Sequence, residues 1–203
     1  MGLVLFHCSN ARSMRPLWVL EEMGLDYELN VLPFPPRVHQ KTYLATNPLG
    51  TVPYLIDGDV RMSESPAICH YLVERYGPTP LAVNPDEPDY ASYLNWLYMS
   101  DATLTFPQTL FLRYTRLEPE ERRNPQAAED NRRWFHGRLR SVEAATADRQ
   151  YLCAGRFTIA DVCVAYALHL ATSLGLDADF KENTARYFEH IKTIPSYQRA
   201  CAT

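Results

Sequence analysis

No stretch of this sequence stays apolar for anything near the ~20 residues that carry a helix across a bilayer. No surplus of basic residues is present either. Lys and Arg number 20 against 24 Asp and Glu, a formal net charge of −4, which argues against a broadly basic nucleic-acid-binding domain. The opening residues MGLVLFHCSN lack a basic segment, and their apolar run is too short for a secretory signal. They read as a first strand. There is no Cys-x-x-Cys among Cys8, Cys69, Cys153, Cys163 and Cys201, and no Cys and His stand at zinc-finger spacing. Scattered thiols, odd in number, point to reduced cysteines in a cytoplasmic protein, most of them core fillers. Repeats and low-complexity tracts are absent too. What is there is ordinary for a soluble globular chain: 203 residues, 46% hydrophobic and 22% charged. That suffices for one large domain or two small ones.

The stretch GPTPLAVNPDEP, residues 77–88, holds prolines at 78, 80, 85 and 88. Proline lacks an N–H and fixes φ, so neither a helix nor a central strand survives there. We read 78–88 as a linker between a first domain, 1–77, and a second, 89–203.

Before the linker, strand-like runs alternate with helical patterns. Leu3–His7 reads as a buried strand, and Met14–Met23 has apolar residues at helical spacing, closed by Gly24. Tyr27–Val31 reads as a second strand and the proline-rich Leu32–Arg37 as loop. Tyr54–Ile56 and Val60–Met62 flank Asp57-Gly58-Asp59, a hairpin signal. Ser65-Pro66 opens a helix, with Ser65 as its cap, and Gly77 ends it. The order β-α-β-loop-β-β-α predicts a small mixed sheet with helices packed on it. After the linker, five helical patterns follow. Asp89–Arg116 is long and aromatic, and Pro107 must kink or break it. Pro119–Ala147 is amphipathic. Thr158–Ser173 is apolar nearly all round and reads as the central helix, started by a capping box of Thr158 and Asp161. Phe180–Lys192 and Pro195–Cys201 complete a helical bundle.

Four segments, NARSMRPLWVLEEMGLDYEL, NPLGTVPYLIDGD, SESPAICHYLVERYG and GRFTIADV, stand in the order and separation of the cytosolic glutathione S-transferases, and the chain resembles a bacterial type of that family over nearly its whole length. The resemblance implies an α/β thioredoxin-like N-terminal domain (βαβ-ββα) followed by an all-α helical bundle. It implies an enzyme that makes the thiolate of glutathione and directs it at a small, largely hydrophobic electrophile, a detoxifying activity. Isomerisation or dehalogenation on the same site, and a non-catalytic glutathione- or protein-binding relative, are the alternatives. Glutathione is the co-substrate and no metal is implied. A homodimer is expected, with Arg61, Met62, Tyr76 and the helix from Asp89 to Ser100 at its interface. No nucleic-acid or membrane partner is expected.

The resemblance also implies site residues. Val52-Pro53 alone would pass for a strand-entry proline. In the family this proline is cis, and the backbone before it pairs with the cysteinyl unit of glutathione, a form of strand addition. Glu64 and Ser65 would take the ammonium and the carboxylate of the γ-glutamyl end, since a helix N-terminus suits a carboxylate. Arg37, His39, Gln40 and Lys41 are candidates for the glycine carboxylate; the bland alternative is a solvated basic loop. The loop His7–Arg15 would activate the sulfur. Phe6 stands roughly where tyrosine-type enzymes have their tyrosine, and Arg12 where cysteine-type enzymes have their cysteine. Ser13 is nominated, with Arg12 as positive neighbour and Ser9 and Asn10 in reserve; the bland alternative for Ser13 is a helix cap. Cys8 reads as a filler. Tyr98, Leu104, Phe106 and Phe111 are candidates for the electrophile pocket, although an aromatic stripe at helical spacing is usually core. Thr158 and Asp161 are assigned to folding.

Overall fold

The computed structural model describes residues 2–203. The chain forms two compact units: one runs to Ala82 and resumes at Lys192–Thr203, the other is Val83–Ile191.

The first unit is built on a four-stranded sheet of order β2-β1-β3-β4. β1 (Leu3–His7) alternates buried and half-buried residues, as a strand with one inner face must. The turn after it leads into α1 (Met14–Met23), which buries every residue from Met14 to Leu20. α1 stops at Gly24, whose φ of 62° is left-handed and whose N–H reaches Leu20 O. β2 (Tyr27–Val31) then pairs parallel to β1. The expected loop over Leu32–Arg37 ends early. A single helical turn, α2 (Pro36–His39), starts at Pro36, because proline is tolerated where the N–H would lack a partner anyway. A 3₁₀ turn, Lys41–Ala45, follows. β3 (Tyr54–Asp57) and β4 (Val60–Met62) form the hairpin, with Gly58 at φ 56°. β3 runs antiparallel to β1, with Phe6 opposite Tyr54, and Leu55 faces Met62. α3 (Ser65–Arg75) packs Ile68, Cys69, Leu72 and Val73 inward and lies against α1. Its cap position is Glu64 rather than Ser65, which is the first helical residue. At Gly77 a Cβ would come 2.5 Å from Val73 O, so only glycine lets the chain leave this close to the helix end.

The second unit is helical. The long pattern predicted over Asp89–Arg116 is broken into α4 (Tyr90–Met99), a π-helical stretch Ser100–Thr105, α5 (Phe106–Leu112) and a second π-helical stretch Arg113–Leu117. Pro107 sits in the first turn of α5. It has no N–H to return to the preceding turn, and the wider π turn absorbs the mismatch. α6 (Pro125–Ala145) begins six residues later than expected and is capped by Asn124, whose Oδ1 accepts the Ala127 N–H at 2.9 Å. α7 (Ile159–Leu174) is buried along nearly its whole length, and its capping box is present in both halves. α8 (Glu182–Lys192) follows a 3₁₀ turn, Asp177–Asp179. Glu143 of α6 accepts the Thr184 N–H and hydroxyl, each at 2.9 Å, tying α6 to the start of α8. α4, α5 and the first π stretch pack on α7, the centre of this bundle.

The last helix, α9 (Pro195–Cys201), belongs to the first unit and not, as the sequence reading had it, with the helical part. It lies on α1. Trp18 Nε1 donates to Ser196 Oγ at 2.8 Å, the Trp18 ring meets Tyr197 edge-on at 5.0 Å, and Arg199 Nε donates to Glu21 at 2.7 Å. The architecture is a thioredoxin-like unit and an all-helical unit. Among the described residues, no helix is long and apolar enough to cross a membrane.

Candidate functional site

The register of the sheet gathers three segments at one end. β1 ends where β3 begins, since Phe6 faces Tyr54, and β4 ends there too, since Leu55 faces Met62. The turn after β1, the Val52-Pro53 pair before β3 and the start of α3 therefore share one end of the sheet.

The turn from Cys8 to Ser13 comes first. Ser13 is fully buried. Its Oγ accepts the Cys8 N–H at 3.1 Å and donates to Cys8 O at 3.3 Å. The hydroxyl therefore closes the turn. It makes no side-chain cap bond to α1, in contrast to the capping role foreseen for it. Cys8 is buried, and burial pushes its thiol up to about 11, so it stays protonated as a filler. Burial also lowers the pKa of His7, against a smaller opposing effect of the Ser13 backbone. The exposed polar residues are Ser9 and Asn10, with Arg12 half-buried beside them. Ser9 Oγ donates to Thr203 O at 2.7 Å. Asn10 holds a left-handed φ of 59°, which Asn tolerates better than most residues.

The Val52-Pro53 peptide is cis. The β1–β3 pairing starts at Tyr54, so Val52 lies outside the ladder. The turn before it is fastened by residues the sequence reading passed over. Thr51 O accepts from Tyr43 Oη and from Asn47 Nδ2, both at 2.9 Å, and Asn47 Oδ1 accepts the Leu49 N–H at 3.1 Å. Burial raises Tyr43 to about 12, so its phenol remains a donor. Gly50 has φ +60°, and a Cβ there would meet Arg37 Cβ at 2.7 Å and Leu44 Cδ2 at 2.8 Å. That close approach seats the turn on α2. Asn47-Pro48-Leu49-Gly50 carried the signal, an Asx turn closed by glycine. Arg37, His39, Gln40 and Lys41 are all exposed on α2 and just after it.

At α3, Glu64 is exposed and makes no side-chain cap bond. Ser65 is buried, and its Oγ accepts from Arg15 Nη1 at 2.9 Å. Arg15, on α1, is fully buried. It is the other residue the sequence reading missed: its partner lies 50 positions away.

Of the pocket candidates in the second unit, Tyr98 is 74% exposed and Phe106 47% exposed. Phe111 is half-buried. Leu104 is fully buried and packs as core, which removes it from the pocket candidates. Among the described residues, no group of three His, Cys, Asp or Glu side chains is placed to hold a metal ion.

Two family patterns match the chain: "Glutathione S-transferase, N-terminal domain" over residues 5–80 and "Glutathione S-transferase, C-terminal domain" over residues 66–195. Glutathione S-transferase 3 of Schizosaccharomyces pombe is 35% identical over 102 residues, 50% of this chain and 42% of that protein. Glutathione S-transferase F14 of Arabidopsis thaliana is 30% identical over 155 residues, 72% of this chain and 59% of that protein. The chain thus spans about half the length of these relatives. Among solved structures, the glutathione transferase URE2P6 of Phanerochaete chrysosporium, in complex with oxidized glutathione, superposes with a TM-score of 0.85 at 27% identity, covering 98% of this chain and 94% of that one.

Proposed function

The chain belongs to the glutathione S-transferase family, and we propose that it is a glutathione transferase whose thioredoxin-like unit binds glutathione and activates its sulfur for attack on a small, largely hydrophobic electrophile. The observation that carries this reading is the register of the sheet, which sets the Val52-Pro53 pair, the start of α3 and the turn after β1 at one end. These segments suit the parts of an extended tripeptide. The Ser65 hydroxyl and the N-terminus of α3 take the γ-glutamyl carboxylate, where the helix dipole favours an anion. Glu64 takes the ammonium. The Val52 backbone pairs with the cysteinyl unit as an added strand would. The basic segment of Arg37, His39, Gln40 and Lys41 receives the glycine carboxylate. Arg12 and Asn10 lie nearest in sequence to where the sulfur is expected, and with Ser13 engaged in the turn they become the leading candidates to stabilise the thiolate, Ser9 remaining in reserve.

Titration calorimetry with glutathione tests the site. Glu64→Gln and Ser65→Ala are each expected to weaken binding by roughly 1–3 kcal/mol, the range of a charge-assisted contact. Unchanged affinity in both variants would refute the assignment. Turnover with a panel of aryl halides, α,β-unsaturated carbonyls and haloalkanes separates transfer from dehalogenation, and retention of glutathione without turnover of any of them would identify a binding protein.

A further inference from the structure

A buried guanidinium needs a partner or it is costly to bury. Arg15 is 0% exposed and delivers Nη1 to Ser65 Oγ at 2.9 Å. The direction of this bond is fixed by chemistry. Guanidinium has donors and no acceptor, whereas a serine hydroxyl has one proton and two lone pairs. Arg15 therefore occupies a lone pair of Ser65 and leaves its proton for an acceptor beyond. Ser65 is the first residue of the eleven-residue α3, where the helix N-terminus adds its own preference for an anion. We infer that Arg15 is a positioning residue: it holds Ser65 as a preset hydrogen-bond donor, so that the start of α3 selects the γ-glutamyl carboxylate. This rests on the glutathione site proposed above. With no exposed surface of its own, Arg15 acts through Ser65, not on the ligand.

The experiment compares two peptides by calorimetry: glutathione, and γ-aminobutyryl-cysteinyl-glycine, which is glutathione without the γ-glutamyl α-carboxylate. Their ratio of dissociation constants reads carboxylate selection alone. Wild type is expected to prefer glutathione by about 10- to 100-fold, the value of a charge-assisted contact. Ser65→Ala, Arg15→Lys and Arg15→Met are each expected to lower that ratio about tenfold, with affinity for the truncated peptide changed less than about twofold. In the Ser65→Ala background, replacing Arg15 is expected to change the ratio no further. A folded Arg15 variant that keeps the wild-type ratio, or that weakens both peptides equally, overturns the proposal, because a structural role alone would do one or the other. If neither Arg15 variant folds, the wild-type complex with glutathione decides. Ser65 Oγ within hydrogen-bond distance of both Arg15 and the carboxylate supports the proposal, and a carboxylate held elsewhere overturns it. Wild type that binds neither peptide overturns the glutathione reading beneath it, a result distinct from selection that survives the loss of Arg15.

Discussion

Arg12 sits half-buried in the turn between β1 and α1, and the energy asked of it is modest. A free thiol with a pKa of about 8.5 is only about 3% thiolate at pH 7. Lowering that pKa by about two units takes about 2.7 kcal/mol of preference for the thiolate, within the ~1.5–3 kcal/mol of one hydrogen bond to a charged group. Arg12→Ala is therefore expected to raise the apparent pKa of bound glutathione by about one unit, followed as thiolate absorbance against pH. Ser13→Ala is expected to leave that pKa nearly unchanged and to lower the melting temperature, since it removes the bonds that close the turn on Cys8. The reverse pattern would return the activating role to Ser13. Cys8 does not compete as a nucleophile, because burial holds its thiol near 11.

At the scale of elements, the start of α7 carries the clearest energetic signature. Asp161 is fully buried, and its carboxylate accepts from Leu152 N–H at 2.9 Å, Thr158 N–H at 3.0 Å and Tyr187 Oη at 3.0 Å. Desolvation outweighs these bonds and lifts its pKa to about 6. An acid raised above its unfolded value, about 3.9, stabilises the fold fully below that value, and the contribution is lost as pH rises through about 6. Asp161→Asn is expected to be less stable by roughly 2–4 kcal/mol, because an amide NH₂ would face backbone donors. The gap to wild type is expected to narrow between pH 5 and pH 7.5 in urea unfolding; a constant or widening gap would show that Asp161 is ionised throughout. This capping box was legible in the sequence because its partners stand three residues apart. So were Gly24 closing α1 and Gly58 in the hairpin, whose signals are equally local. The π stretches around Pro107 were not, since proline announces a disruption but not the form it takes. Ser13 and Ser65 misled for a related reason. Serine before a helix suggests a cap, whereas their real partners, Cys8 and Arg15, are set by how the turn folds and how α1 meets α3. Val52, Pro53, Glu64 and Ser65 could be nominated only through the family resemblance, and the register of the sheet then brings their segments to one end.

For the molecule as a whole, the distribution of apolar side chains bears on assembly. Val31, Phe34, Val38 and Leu49 of the first unit are between 48% and 64% exposed. A homodimer with a two-fold, isologous interface is the expected state. Light scattering at micromolar concentration is expected to give twice the mass of the chain, and a monomer under those conditions would count against it. Arg61 and Tyr76, foreseen at that interface, are engaged within the chain: Arg61 Nη1 donates to Gly58 O at 2.6 Å, and Tyr76 Oη donates to Asp57 at 2.6 Å. They would enter an interface already held in place.

The docking of α9 on α1 has a consequence for the order in which the chain takes shape. Trp18 is wholly covered, and Ser196 and Tyr197 are among the groups that cover it. As the ribosome releases the chain, the strands and first three helices emerge long before those partners exist. Throughout synthesis of the helical unit, the face of α1 that α9 will occupy is open to water, to chaperones and to proteases. The first unit is thus sealed only after the helical unit has been made, and a nascent chain arrested anywhere before α9 would leave Trp18 without Ser196 and Tyr197, two of the groups that cover it.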